Sequence, residues 1–123
     1  RFGYALGLAF QAQDDALGIW GDAALIGKST ESDLLSGKKT LPVVFALERG
    51  GDFANRWLEG PVRQDEIVHL AEQLRREGAE EYTLAEAERL TRAALDALDE
   101  AVVNLEAGAA LQELAQRLLR RAY

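Results

Sequence analysis

The chain contains no cysteine and a single histidine, His69. Disulfide frameworks, zinc–thiolate sites and thiol nucleophiles are excluded, because each of them needs a cysteine sulfur. One histidine is also too few for a metal site built from several imidazoles. A divalent metal bound to these residues would therefore be a hard ion held by carboxylate oxygens.

Basic residues and long apolar runs are also scarce. There are 14 basic residues against 21 acidic ones, for a net charge of -7, which argues against nonspecific nucleic-acid binding but leaves room for a local basic cluster. No apolar run approaches the roughly 20 residues that span a bilayer, so we expect no integral membrane segment. The chain opens on Arg1 without a signal-peptide pattern, so the expected localisation is cytoplasmic.

Strand signals are nearly absent, since no segment alternates apolar and polar residues with β-branched enrichment. Hydrophobic residues make up 48% of the 123 residues, enough to bury a core in one domain or part of one. Apolar periodicity predicts an all-α bundle of about five helices with one long loop. The expected helices cover 2–20, 41–49, 65–77, 83–106 and 109–122, with a turn or two at 53–58 and the glycine-rich loop at 21–40.

Several residues mark the predicted helix ends. Gly50 and Gly51 close the helix at 41–49. Thr83 and Glu86 form the Thr-x-x-Glu pattern of a capping box, which places the start of the long helix there. Gly108 separates that helix from the last one. The first residues instead resemble a helix interior without a start methionine, so we expect the chain to be a piece of a longer protein.

One face of the first helix is small at its start and acidic further on. Steps of three and four residues place on it Gly3, Gly7, Gln11, Asp14, Asp15, Gly18 and Asp22. The apolar remainder is expected to be core, namely Phe2, Leu6, Leu8, Phe10, Leu17, Ile19 and Trp20. Adjacent carboxylates on so apolar a helix favour a bound divalent cation, and the alternative is that both face solvent. Gly3 and Gly7 favour close helix packing, with the floor of an apolar cavity as the alternative.

The predicted loop carries Lys28 and Lys38, with Asp33 between them. Lysines among glycines and hydroxyl groups suit phosphate oxygens, because the ammonium is a point charge on a flexible stem. Alone, these lysines would indicate an ordinary solvated loop. Acids suited to a hard cation, followed closely by such lysines, form a more specific combination.

Residues 7–47, GLAFQAQDDALGIWGDAALIGKSTESDLLSGKKTLPVVFAL, resemble the second aspartate-rich region of the trans-isoprenyl diphosphate synthases, also called polyprenyl synthetases. The family pattern is roughly F-Q-x-x-D-D-x-x-D, then G-D, then G-K, then D-L-x-x-G-K-x-T-L-P. The resemblance covers essentially the whole chain but only about the second half of a family member. It implies the C-terminal portion of the isoprenoid synthase fold.

For function, the resemblance implies Mg²⁺-dependent head-to-tail transfer of the prenyl group of an allylic diphosphate onto isopentenyl diphosphate with release of inorganic diphosphate, in a protein that is usually a homodimer. By that analogy Asp14 is the direct metal ligand, and Asp15 acts through metal-bound water or as a supporting acid. Gln11 would lie beside the allylic diphosphate and the developing cation.

The same analogy assigns the loop residues. Lys28 and Lys38 would hold diphosphate oxygens. Asp33 would support these lysines or the closing loop, and Asp22 would orient the loop without binding the metal.

Two departures from the family pattern matter. Gly18 stands where the motif usually ends in aspartate, a version that some bacterial members share. The first aspartate-rich motif is missing, so these residues alone cannot complete the site. The second hypothesis is therefore a noncatalytic or regulatory subunit of the family. A class I terpene cyclase is a third, which the Asp14-Asp15 pair and the Gly-Lys loop disfavour.

Overall fold

The computed structural model describes residues 2–26, 32–101 and 105–120, which form helices joined by short turns. The helices are α1 (Phe2–Trp20), α2 (Asp22–Ile26), α3 (Asp33–Ser36), α4 (Leu41–Arg49), α5 (Asp52–Leu58), α6 (Ile67–Arg76), α7 (Ala79–Ala101) and α8 (Leu105–Arg120), with a 3₁₀ turn at Gln64–Glu66 before α6. No strand occurs in the described ranges, which confirms the all-α prediction. None of the described helices is long and apolar enough to cross a membrane.

The stretch predicted as one long loop contains two short helices, α2 and α3. Helix α3 forms because its ends are capped: the Ser32 hydroxyl accepts the Leu35 N–H at 3.2 Å, and Gly37 closes the turn with φ +76°. Composition alone predicted a loop, since these capping residues are also the usual loop residues. Residues 27–31, which include Lys28, lie outside the described residues.

The boundaries of α1 and α4 agree with the prediction, whereas two boundary residues were misread. Thr83 does not cap the long helix, because α7 starts at Ala79 and the buried Thr83 hydroxyl donates to the Ala79 carbonyl at 2.7 Å. Gly108 does not separate two helices, because it lies inside α8. A single glycine costs a helix only about 1 kcal/mol and so need not end it.

Helix α1 lies at the centre of the molecule and packs lengthwise against α7. The face of α1 that is buried is largely alanine, which lets the two helices approach closely; its buried hydrophobic residues are Ala9, Ala12, Ala16, Ile19 and Trp20. Leu8 was expected in the core but is 39% exposed. At the end of α1, the Trp20 indole N–H donates to the Ala71 carbonyl of α6 at 2.8 Å.

The Trp20 hydrogen bond should contribute measurably to stability because both of its atoms are buried. We expect Trp20→Phe to lower the free energy of unfolding of the full-length protein by about 1 kcal/mol, the net contribution of one buried hydrogen bond, since the Ala71 carbonyl keeps its place in the backbone hydrogen bonding of α6. Urea denaturation measures the loss. The matched control is Trp57→Phe, which alters a half-buried indole packed at a tilt on Phe53. Equal effects of the two changes would contradict this assignment.

Candidate functional site

The two adjacent acids of α1 lie in different environments. Asp14 is exposed, whereas Asp15 is buried with 7% of its surface accessible. Successive side chains on a helix point about 100° apart, so one carboxylate faces outward while its neighbour faces α4. The two acids therefore cannot play the same chemical role.

The buried carboxylate of Asp15 uses both of its oxygens within the protein. Its Oδ1 accepts the Gln11 side-chain amide N–H at 2.8 Å, one helical turn away. Its Oδ2 accepts the backbone N–H of Leu41 at 2.9 Å. Leu41 is the first residue of α4, where backbone N–H groups lack partners within the helix and a negative charge is favourable. Asp15 thus joins α1 to the start of α4.

Gly18 lies one turn beyond Asp14, and the Asp33 side chain from α3 fills the space beside it. A Cβ atom built on Gly18 would lie 2.0 Å from Asp33 Oδ2. Burial raises the pKa of the Asp33 carboxyl, the Lys38 ammonium opposes that rise, and the carboxylates of Asp15 and Asp14 add to it. These charges interact because α3 folds back over α1.

The remaining predicted site residues are only partly assembled. Lys38 is exposed at the end of α3, where its backbone N–H donates to the Asp33 carbonyl at 3.0 Å. Asp22 does not belong to the acidic face of α1, because that helix ends at Trp20 and Asp22 begins α2 as an exposed residue. The position of Lys28 falls outside the described residues.

The predicted close packing at Gly3 and Gly7 is not seen within the described part of the chain. A Cβ atom at either position would meet no described atom within 4 Å. Both glycines are exposed at the start of α1. No helix contact among the described residues therefore requires a glycine at either position.

Two groups at the start of α4 were not identified from the sequence. One is the Leu41 backbone N–H, which no pattern of side chains reveals. The other is Thr40, whose residue is 3% exposed and whose hydroxyl has no hydrogen-bond partner among the described residues. Thr40 lies in an open groove of about 400 Å³ beside Gln11 and Asp15. The sequence signal for Thr40 was its position directly before Leu41 and Pro42, at the start of a predicted helix.

The acids suit an open magnesium site better than a closed one. Within the described ranges, no three histidine, aspartate or glutamate side chains converge to hold a metal ion. Mg²⁺ usually keeps several waters and binds one or two carboxylates together with substrate phosphates. The exposed Asp14 carboxylate fits that requirement.

Comparison with known proteins identifies the family. The family model described as polyprenyl synthetase matches residues 1–74. The chain belongs to the polyprenyl synthetase family. It is 36% identical to a (2E,6E)-farnesyl diphosphate synthase of Mycobacterium bovis, over 98% of this chain and 36% of that protein. It is 35% identical to heptaprenyl diphosphate synthase component 2 of Geobacillus stearothermophilus, over 99% of this chain and 38% of that protein.

A solved polyprenyl synthetase structure from Streptomyces coelicolor A3(2) shares the fold, with a TM-score of 0.77 and 37% identity over 94% of this chain and 38% of that one. These findings confirm the predicted family and the helical isoprenoid synthase fold. The chain spans little more than a third of the length of these relatives.

The two hydrogen bonds of Asp15 generate a prediction about stability. Asp15→Ala should destabilise the full-length protein by about 1–3 kcal/mol, because the Leu41 N–H and the Gln11 amide both lose a buried acceptor. Asp15→Asn should cost less, since its amide oxygen can still accept the Leu41 N–H while the Gln11 amide turns over. Thermal unfolding of both variants measures the difference. Equal destabilisation by the two changes would show that the bond to α4 contributes little.

Proposed function

We propose that this chain is the C-terminal part of an enzyme that condenses isopentenyl diphosphate with an allylic prenyl diphosphate to make a longer prenyl diphosphate. The observation that carries the proposal is the meeting of α1 and α3. Their contact brings Asp33 within electrostatic range of Asp14, Asp15 and Lys38, in a member of the polyprenyl synthetase family. Acids for Mg²⁺ and a lysine for diphosphate are what this chemistry needs.

In the proposed reaction, the bond between the allylic carbon and the diphosphate oxygen breaks, and the electron pair leaves with the diphosphate. The double bond of isopentenyl diphosphate attacks the resulting carbocation, a proton is lost, and inorganic diphosphate departs. Mg²⁺, when bound, supplies positive charge beside the departing diphosphate. Asp14 would hold that ion, with Asp15 behind it, while Lys28 and Lys38 hold diphosphate oxygens.

Gln11 has a defined orientation in this scheme. Because its amide N–H donates to Asp15, its carbonyl oxygen is directed away from that carboxylate. We infer that this oxygen lies beside the allylic diphosphate, where its partial negative charge would favour the developing cation. The apolar residues of the neighbouring groove, among them Leu8 and Val44, would help to exclude water.

A noncatalytic or regulatory subunit of the same family is the alternative function. The relative named heptaprenyl diphosphate synthase component 2 and the glycine at position 18 both favour it. The full-length sequence discriminates between the two: an Asp-Asp-x-x-Asp motif upstream of Asp14 would support the enzyme, and its absence would support the subunit. We further propose that the full-length protein acts as a cytoplasmic homodimer.

The 123 residues by themselves should catalyse no prenyl transfer, because the first aspartate-rich motif is not among them. The measurement is turnover of an allylic diphosphate with isopentenyl diphosphate and Mg²⁺, by the isolated piece and by the full-length protein. Turnover by the full-length protein alone is the expected result. Measurable turnover by the isolated piece would contradict the proposed division of the site.

The two exposed acids Asp14 and Asp22 should differ sharply in the full-length protein. We expect Asp14→Ala to lower kcat/KM on the order of 10²-fold or more, the cost of one main electrostatic contact to the site. Asp22→Ala is the matched control, because it removes an exposed carboxylate that begins a different helix. Steady-state kinetics measures both variants, and small, equal effects would show the metal assignment to be wrong.

A further inference from the structure

The gap at Gly18 is occupied by a side chain from another helix. The hypothetical Cβ would lie 2.0 Å from Asp33 Oδ2 and 2.6 Å from Asp33 Cγ, so any larger residue there requires the Asp33 carboxyl to move. The other glycines on this face of α1, Gly3 and Gly7, have no described atom in the corresponding space. The close contact is therefore particular to position 18 on this face.

The position of Asp33 determines where the following lysine begins. Asp33 is the first residue of the four-residue helix α3, and its carbonyl accepts the Lys38 backbone N–H at 3.0 Å. Gly37, with φ +76°, closes the turn between them. Since the Asp33 carbonyl accepts the Lys38 N–H, a shift of the Asp33 backbone displaces the Lys38 backbone, and a shift of the Asp33 carboxyl changes the charge beside the Lys38 ammonium.

Helix α3 is attached to the rest of the molecule on both its apolar side and its polar side. Leu34 is fully buried in the core, which anchors the apolar side of the turn. On the polar side, the Asp33 carboxyl lies against the backbone of Gly18. Burial at this contact raises the pKa of Asp33, and the nearby Lys38 ammonium opposes the rise. The carboxyl that attaches the polar side of α3 to α1 is therefore also the group that interacts with the Lys38 ammonium.

We propose that Gly18 and Asp33 form a positioning pair: the absent side chain at Gly18 admits the Asp33 carboxyl onto α1, and this contact fixes Lys38 for the diphosphate group of a substrate. The proposal rests on the proposed function for the role of Lys38. Neither residue of the pair needs to touch the substrate. Gly18 in this sequence is then a structural requirement of the loop as well as a departure from the family motif.

The test is a double-mutant cycle in the full-length protein, with Gly18→Ala, Asp33→Ala and both changes together. Two quantities are measured for each variant: the unfolding temperature without ligand, and the dissociation constant of inorganic diphosphate with Mg²⁺ by titration calorimetry. Gly18→Ala alone should weaken diphosphate binding about fivefold or more, and should cause no further loss once Asp33 is alanine. Asp96→Ala, which removes an exposed carboxylate on α7, should leave the affinity unchanged.

Each outcome bears on the proposal. Equal effects of Gly18→Ala on both quantities with and without Asp33 would overturn the pair, as would unchanged diphosphate affinity in both single variants. If Gly18→Ala alone fails to fold, restored folding in the double variant supports the pair and continued failure overturns it. Lys38→Ala tests the proposed function separately: unchanged diphosphate affinity there would remove the assigned role of Lys38, while the unfolding temperatures would still report whether Gly18 and Asp33 are coupled.

Discussion

The hydrogen bonds of the Asp15 carboxylate are the interaction on which the geometry of the site depends. The bond from the Leu41 N–H connects the middle of α1 to the first residue of α4, across a separation of 26 residues. A buried carboxylate is costly unless its oxygens are satisfied, and here a helix N-terminus and a glutamine amide satisfy them. The return of the chain after α3 is thereby fixed relative to the acidic face of α1.

The two sides of α1 have different roles. One side is built from alanines that pack closely against α7, with Ile19 and Trp20 completing the core at the C-terminal end. The other side carries Asp14 in solvent and admits Asp33 beside Gly18. A rigid helix is well suited to this, because packing on one face holds the polar groups of the opposite face at constant spacing.

The errors in the sequence-based prediction have two physical causes. Thr83 and Gly108 were assigned from their local preferences, yet both lie inside helices, because a capping motif or a glycine contributes only about 1 kcal/mol to where a helix begins or ends. Helix α3 was missed for a different reason. Its four residues show no periodicity, and only the hydrogen bonds of Ser32 and the left-handed Gly37 make it a helix.

The sequence by itself determined the helical class, the bounds of α1 and α4, the family resemblance and the residue types available for chemistry. Periodicity, proline and glycine are local signals, so the residues that carry them also reveal them. Only the tertiary structure decided that Asp15 is buried while Asp14 is exposed, that Asp22 belongs to another helix, and that Asp33 lies against Gly18. The burial of Asp15 and the contact of Asp33 involve segments distant along the chain, and their geometry follows from how α3 and α4 pack on α1.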